Sequence, residues 1–186
     1  MDCTVPGEQL IHVIQGECRT SADPDVVLTT TLGSCIAACM RDPIARIGGM
    51  NHFLLPEEQG AERTVSLRYG GYAMELLVNG LMRAGAHRDR LETKLFGGGR
   101  MAEGLTDIGE KNATFAEEFL ARENLRLTGG SLRGRQARRI QFWPASGRVR
   151  QLALPLGLDT ALHIQSQTRR APRAQGSVEL FAVEKE

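Results

Sequence analysis

The run Val26-Val-Leu-Thr-Thr-Thr-Leu-Gly-Ser-Cys35 decides how the first half of this chain folds around one cysteine. Its β-branched start, Val26–Thr30, is typical of a strand, and the Gly-Ser pair that follows marks a turn. The residues after the turn, Ser34–Arg41, are small or tolerated in helices, so we expect a short buried helix with Ser34 at its N-cap. A buried strand is the alternative, because so few residues carry no clear period.

The remaining pattern is that of a mixed α/β protein. Helical spacing predicts helices over 69–86 and 112–123, and β-branched or alternating runs predict strands. The predicted strands are 10–15, 44–55 and 91–96, with a hairpin formed by 139–143 and 148–152. We therefore expect a compact single α/β domain over 1–154, in which mixed sheet layers pack with helices. The polar, basic segment 155–186 is expected to be a flexible C-terminal appendage.

Composition excludes several classes of function. The chain has 186 residues and a formal net charge of +1, which argues against a general polyanion binder and hence against nucleic acid as a partner. No apolar run approaches the roughly 20 residues of a membrane span, and the N-terminus lacks the pattern of a signal peptide, so we expect a cytoplasmic protein without membrane insertion. Cys35 and Cys39 lack two further ligands for structural zinc, and no cofactor or metal is expected.

Cys35 and His52 form a candidate nucleophile and base. A thiol at a helix N-terminus is stabilised as thiolate by unpaired N–H groups and the helix dipole, and backbone N–H groups around Ser34 would also stabilise an oxyanion. His52 follows on another predicted strand, from which it can reach the thiol and serve as general base and acid. Thr29 and Thr31 share one face of the preceding strand, and either can orient the imidazole. The competing interpretation is an ordinary buried cysteine.

Six motifs in order are similar to those of the chemoreceptor glutamine deamidase family, CheD. They are Leu32–Cys39, Gly48–Pro56, Arg68–Glu75, Gly85–Glu92, Lys94–Gly99 and Ile108–Asn112. The resemblance implies a compact α/β sandwich related in active-site architecture to bacterial toxin deamidases. It places the family's catalytic cysteine and histidine on Cys35 and His52. Its catalytic threonine, six residues before the cysteine, falls on Thr29, which favours Thr29 over Thr31.

The resemblance also implies an activity. It predicts a protein-glutamine deamidase that converts glutamines of methyl-accepting chemotaxis receptor helices to glutamate through a cysteine thioester, with a role in chemotaxis adaptation. Some family members also hydrolyse glutamyl methyl esters, and some bind a CheC-type phosphatase. The alternative is a non-catalytic adaptor that binds the chemoreceptor or a CheC-type phosphatase.

Charge is unevenly distributed near the end of the predicted domain. Between Arg122 and Arg150 there are eight arginines and one acid, Glu123. This stretch is either a basic surface that steers the protein toward acidic receptor helices or an ordinary solvated surface. Phe142 and Trp143 lie among these arginines, but one aromatic pair without a recognised module is weak support for nucleic-acid binding.

Overall fold

Nine strands and two α-helices are formed within residues 7–56, 63–101 and 108–154, the parts of the chain that the computed structural model describes. The strands are β1 Gln9–His12, β2 Cys18–Ser21, β3 Val26–Leu32, β4 Ile36–Asp42, β5 Ile47–Asn51, β6 Glu92–Gly97, β7 Arg126–Leu132, β8 Ala137–Trp143 and β9 Arg148–Leu154. The helices are α1 Arg63–Arg83 and α2 Ile108–Arg122, and a single 3-10 turn covers Arg88–Arg90. Neither α-helix combines the length and apolar character that crossing a bilayer requires.

The strands form two mixed sheets. The first has the order β1-β3-β8-β9, with β1 parallel to β3 and the other neighbours antiparallel. The second has the order β2-β5-β4-β6-β7, with only the β6–β7 pair parallel. Both helices contact the second sheet, so the layers are sheet, sheet and helices. This architecture confirms the predicted mixed α/β fold.

Two apolar clusters hold these layers together. One lies between the two sheets and includes Leu28, Leu32 and Phe142. The other lies between the second sheet and the helices and includes Phe53 and Leu77. Burial of apolar surface on both faces makes the second sheet the central layer of the molecule.

The predicted helix at Ser34–Arg41 is wrong, because this segment contains the central strand β4. Ile36 and Met40 reach the helix-side cluster, whereas Ala37 and Cys39 reach the cluster between the sheets. A strand buried on both faces carries apolar residues at every position, so its sequence shows no alternation. Pairing with β5 on one side and β6 on the other outweighs the helix propensity of its small residues.

Most of the other predicted elements are confirmed. The strands predicted at 10–15, 26–30 and 91–96, the hairpin, and both helices from 69 and 112 are present with shifted ends. The predicted strand 44–55 is shorter, at Ile47–Asn51. Strands β2 and β7 were not predicted, since β2 has four mainly polar residues and β7 contains two glycines. The predicted appendage 155–186 lies outside the described residues.

Candidate active site

Cys35 lies in the turn that carries the chain from β3 in one sheet to β4 in the other. The turn Gly33–Cys35 is not the start of a helix, so the predicted helix N-terminus at Ser34 is wrong. Gly99 N–H donates to the Gly33 carbonyl and Gly98 N–H donates to the Cys35 carbonyl, each at 2.8 Å. The turn is therefore fixed by the glycine-rich segment that follows β6.

This close approach of two backbones requires glycine on the β6 side. Gly97 has φ +111°, and a Cβ built on it would overlap the carbonyl oxygen of Cys35. Any other side chain would clash there and would also have to adopt a strained backbone conformation. The glycines of the Lys94–Gly99 motif thus set the position of the cysteine.

Asn112 braces the same turn from helix α2. Its Nδ2 donates to the Ser34 carbonyl, and its Oδ1 accepts from Leu55 N–H, both at 2.9 Å. The Asn112 side chain is fully buried; its bond to Leu55 is also buried, and its bond to Ser34 is partly buried. Asn112 consequently ties the turn of Cys35 to the segment that follows His52.

Cys35 and His52 share one face of the second sheet. Ile36 and Phe53 form an antiparallel bridge with reciprocal N–H···O bonds of 2.9 Å, and both side chains belong to the helix-side cluster. Because side chains alternate along extended chains, the preceding residues, Cys35 and His52, point to the opposite face, toward the first sheet. In this register they are diagonal neighbours, a spacing that longer side chains can bridge.

A threonine of β3 contacts the imidazole, but it is Thr30 and not Thr29. Thr30 Oγ1 lies 2.8 Å from His52 Nδ1, whereas Thr29 Oγ1 donates to the Ile140 carbonyl at 2.9 Å. The reason is the pleat: Thr30 shares the inner face with Leu28 and Leu32, and Thr29 faces away from the second sheet. The hydroxyl at the imidazole is therefore that of Thr30, and the orienting role predicted for Thr29 or Thr31 stays a prediction.

The contacts of His52 define its tautomer. Nδ1 also lies 3.2 Å from the carbonyl oxygen of Val13, which can only accept. Both contacts of Nδ1 are satisfied together when Nδ1 carries the hydrogen and the Thr30 and Val13 oxygens accept it. Nε2 is then unprotonated, and this buried atom has no hydrogen-bond partner among the described residues. The ring thus presents the form that a general base needs.

The thiol is closed off and neutral. Cys35 and His52 are only 5% and 3% exposed, and Cys35 Sγ–H donates to Gln15 Oε1 at 3.6 Å. Burial raises the pKa of the Cys35 thiol to about 12, opposed by its own backbone N–H, and burial lowers the pKa of His52 to about 4, opposed by Val13. The expected helix-stabilised thiolate is therefore absent, and the resting pair is thiol and neutral imidazole.

Within the three described ranges, no cluster of three or more His, Cys, Asp or Glu side chains is suited to hold a metal.

The charge of the arginine-rich stretch from Arg122 to Arg150 is partly neutralised, because Arg133 bridges Glu110 and Glu117. Arg148 pairs with Glu8. Phe142 is buried between the sheets and is not available for base stacking.

A family model and several named relatives are similar to this chain. A family model described as CheD chemotactic sensory transduction matches residues 54–152. A probable chemoreceptor glutamine deamidase CheD of Acidiphilium cryptum is 55% identical over 92% of this chain and 93% of its own length. The chain belongs to the CheD family.

Further relatives of the same description are equally well covered. Those of Caulobacter sp. and Rhizobium meliloti are 53% and 50% identical, each over 92% of this chain and over 92% and 95% of their own lengths. Among solved structures, the Neisseria meningitidis protein NMB0706 covers 67% of this chain and 63% of its own at 9% identity and a TM-score of 0.43, a likeness too distant to indicate function.

Four contributions to the site were missed by sequence reasoning. They are the Thr30 hydroxyl, the Val13 carbonyl, the Gln15 carboxamide and the Asn112 side chain. Asn112 lies in one of the family motifs, and a polar residue on an otherwise apolar helix face is a signal that could have found it. Nothing in the sequence marks a backbone carbonyl or the register of Thr30.

Proposed function

We propose that the protein is a protein-glutamine deamidase that acts on chemoreceptors through Cys35 and His52. The observation that carries this proposal is that a buried imidazole, oriented at Nδ1 and with Nε2 unpartnered among the described residues, shares a sheet face with a buried thiol. The names of the relatives supply the substrate class, glutamines of chemoreceptors, and the description of the family supplies chemotactic sensory transduction. A role in chemotaxis adaptation is part of the proposal. The enzyme is thus a hydrolase of side-chain amide C–N bonds, working in the cytoplasm.

In the acylation step, Cys35 Sγ attacks Cδ of the substrate glutamine while His52 Nε2 takes the thiol proton. Concerted transfer suits this site, because the thiol pKa is raised and no thiolate is stored in the resting state. The imidazolium then returns the proton to the departing nitrogen, and ammonia leaves. The product of this step is a thioester between Cys35 and the receptor side chain.

In the deacylation step, water attacks the thioester carbonyl and His52 Nε2 takes its proton. Collapse of the tetrahedral intermediate releases glutamate and returns the proton to Sγ. We assign the oxyanion in both steps to the backbone N–H groups of Ser34 and Cys35. Neither N–H donates to another residue within the described part of the chain, although the Cys35 N–H interacts with its own sulfur.

Thr30 and the Val13 carbonyl have the positioning role in this mechanism. When His52 becomes imidazolium, its Nδ1–H donates to their oxygens, and both contacts then stabilise the positive charge. Thr29 keeps no role at the imidazole in this geometry. Its hydroxyl instead ties β3 to β8 through Ile140.

The same steps apply to a glutamyl methyl ester, with methanol in place of ammonia as the leaving group. We include this esterase reaction, and binding of a CheC-type phosphatase, in the proposal as family-level expectations. A non-catalytic adaptor is the competing function. An adaptor has no use for an oriented base beside a buried thiol, since such polar burial costs stability without adding a binding surface.

The test is to incubate the full chain with a purified receptor cytoplasmic fragment and to follow conversion of glutamine to glutamate by peptide mass spectrometry. Conversion should be abolished by Cys35→Ala and retained by Cys39→Ala. Cys39 is a matched control, because it is also a buried cysteine and its side chain lies in the same apolar cluster as Cys35. Conversion that survives Cys35→Ala contradicts the mechanism, and no conversion by the native chain supports the adaptor.

A further inference from the structure

A carboxamide already lies at the thiol in this structure. The side-chain oxygen of Gln15 accepts the Cys35 Sγ–H at 3.6 Å, and the Gln15 side chain is half-buried. The proposed reaction requires a glutamine carboxamide in contact with the same sulfur. Gln15 therefore places in the site the same functional group, a carboxamide, that the substrate would bring.

The segment that carries Gln15 is firmly attached to the site. Gly16 N–H donates to the His52 carbonyl at 2.7 Å, and His52 N–H donates to the Glu17 carbonyl at 3.0 Å. On the other side, the Val13 carbonyl contacts His52 Nδ1, and Val13 N–H donates to the Thr29 carbonyl at 2.8 Å. With both flanks bonded to the site, the backbone at Gln15 has little freedom, so its contact with the sulfur is released by rotation of the side chain.

The Gln15 contact also affects the proton that the reaction must move. In the resting structure the thiol donates to Gln15 Oε1, while His52 Nε2 accepts from no described residue. A sulfur has a single hydrogen to donate, so the bond to Gln15 competes with transfer to the imidazole. Release of Gln15 frees that hydrogen for Nε2.

We propose that Gln15 is a built-in competitor for the substrate carboxamide, which holds Cys35 in its resting form until a receptor glutamine displaces it. This inference rests on the proposed function. In this arrangement Gln15 is expected not to be a substrate itself, because the thiol is not activated while the Gln15 oxygen holds the thiol hydrogen. Gln15 thus raises the KM for any carboxamide substrate and protects the cysteine between turnovers.

The direct test is the rate of Cys35 alkylation by iodoacetamide, measured site by site with peptide mass spectrometry in the full chain. Gln15→Met keeps the length and bulk of the side chain but removes the acceptor, and it should alkylate about two- to tenfold faster than the native chain, in line with the loss of one modest hydrogen bond. Gln15→Glu should alkylate more slowly, since a carboxylate beside sulfur disfavours the thiolate. Gln9→Met, at an exposed glutamine on β1, is the matched control and should not change the rate.

The turnover test uses the receptor fragment, on which Gln15→Met should lower KM about two- to tenfold with kcat retained. An unchanged alkylation rate in Gln15→Met overturns the proposal, because Gln15 would then be only a steric cover. A fall in kcat/KM also overturns it, because Gln15 would then assist the substrate. Conversion of Gln15 to glutamate in the native chain overturns it as well. Alkylation needs no receptor, so failure of this inference is distinguishable from failure of the proposed deamidase activity.

Discussion

Two neighbouring threonines provide the sharpest test of the proposed site. Thr29 and Thr30 are adjacent, equally buried at 1% exposure, and each makes one hydrogen bond through its hydroxyl. Replacing either by valine removes the hydroxyl and keeps the shape of the side chain. The family resemblance predicts that Thr29→Val is the damaging change, whereas the structure predicts Thr30→Val.

The magnitude follows from what each hydroxyl contacts. Loss of a neutral hydrogen bond to the Ile140 carbonyl costs about 1 kcal/mol of stability, and Thr29→Val should show this cost alone. In the transition state the Thr30 oxygen accepts from an imidazolium, and a bond to a charged group contributes roughly 1.5–3 kcal/mol. Thr30→Val should therefore lower kcat about 10- to 100-fold, with the Val13 carbonyl as the remaining acceptor.

The assay is steady-state deamidation of the receptor fragment, with urea unfolding measured on the same preparations. Thr30→Ser restores a hydroxyl and should recover most of the lost kcat, which separates positioning of His52 from damage to β3. If Thr29→Val lowers kcat more than Thr30→Val at equal stability, then the register of β3 against His52 described above is wrong.

Two further predictions concern pH and the brace at the turn. Burial lowers the pKa of His52 from 6.5 to about 4, so the imidazole should stay neutral, and kcat/KM should stay constant, down to about pH 4. A fall of kcat/KM near pH 6.5 would contradict the buried imidazole. Between pH 6.5 and 4 the unfolded chain binds a proton at His52 that the folded chain excludes, so stability falls with pH in this window. About 3 kcal/mol of unfolding free energy should be lost as the pH falls from 6.5 to 4, and this loss should be absent in His52→Gln. Asn112→Ala leaves a buried N–H at Leu55 and a partly buried carbonyl at Ser34 unpaired, so it should cost about 2–4 kcal/mol and also reduce kcat. Asp42→Ala is the matched control, because it removes a buried carboxylate that pairs with Arg90 away from the site. It should lower stability with kcat retained. Equal kcat in Asn112→Ala and Asp42→Ala would show that Asn112 does not position Cys35.

Local signals in the sequence were sufficient for much of the fold. The helix from 69 to 86 and the strand 91–96 carry clear periods, and the hairpin around 144–147 has strong turn residues. The segment 34–41 carries no such signal, since a strand buried on both faces and a short buried helix have the same composition. Only its two neighbouring strands decide between them.

By itself the sequence determined the family and the candidate nucleophile and base, because the motifs around Cys35 and His52 are local in the chain. The tertiary structure decided which threonine contacts the imidazole, whether the thiol is charged, and what occupies the site at rest. Each of these depends on contacts between segments distant along the chain: the pleat of β3 against His52, the burial of both groups between two sheets, and the loop that brings Gln15 to the sulfur. These contacts are fixed by strand register and by packing of one sheet on the other, and neither can be predicted from local residue preferences.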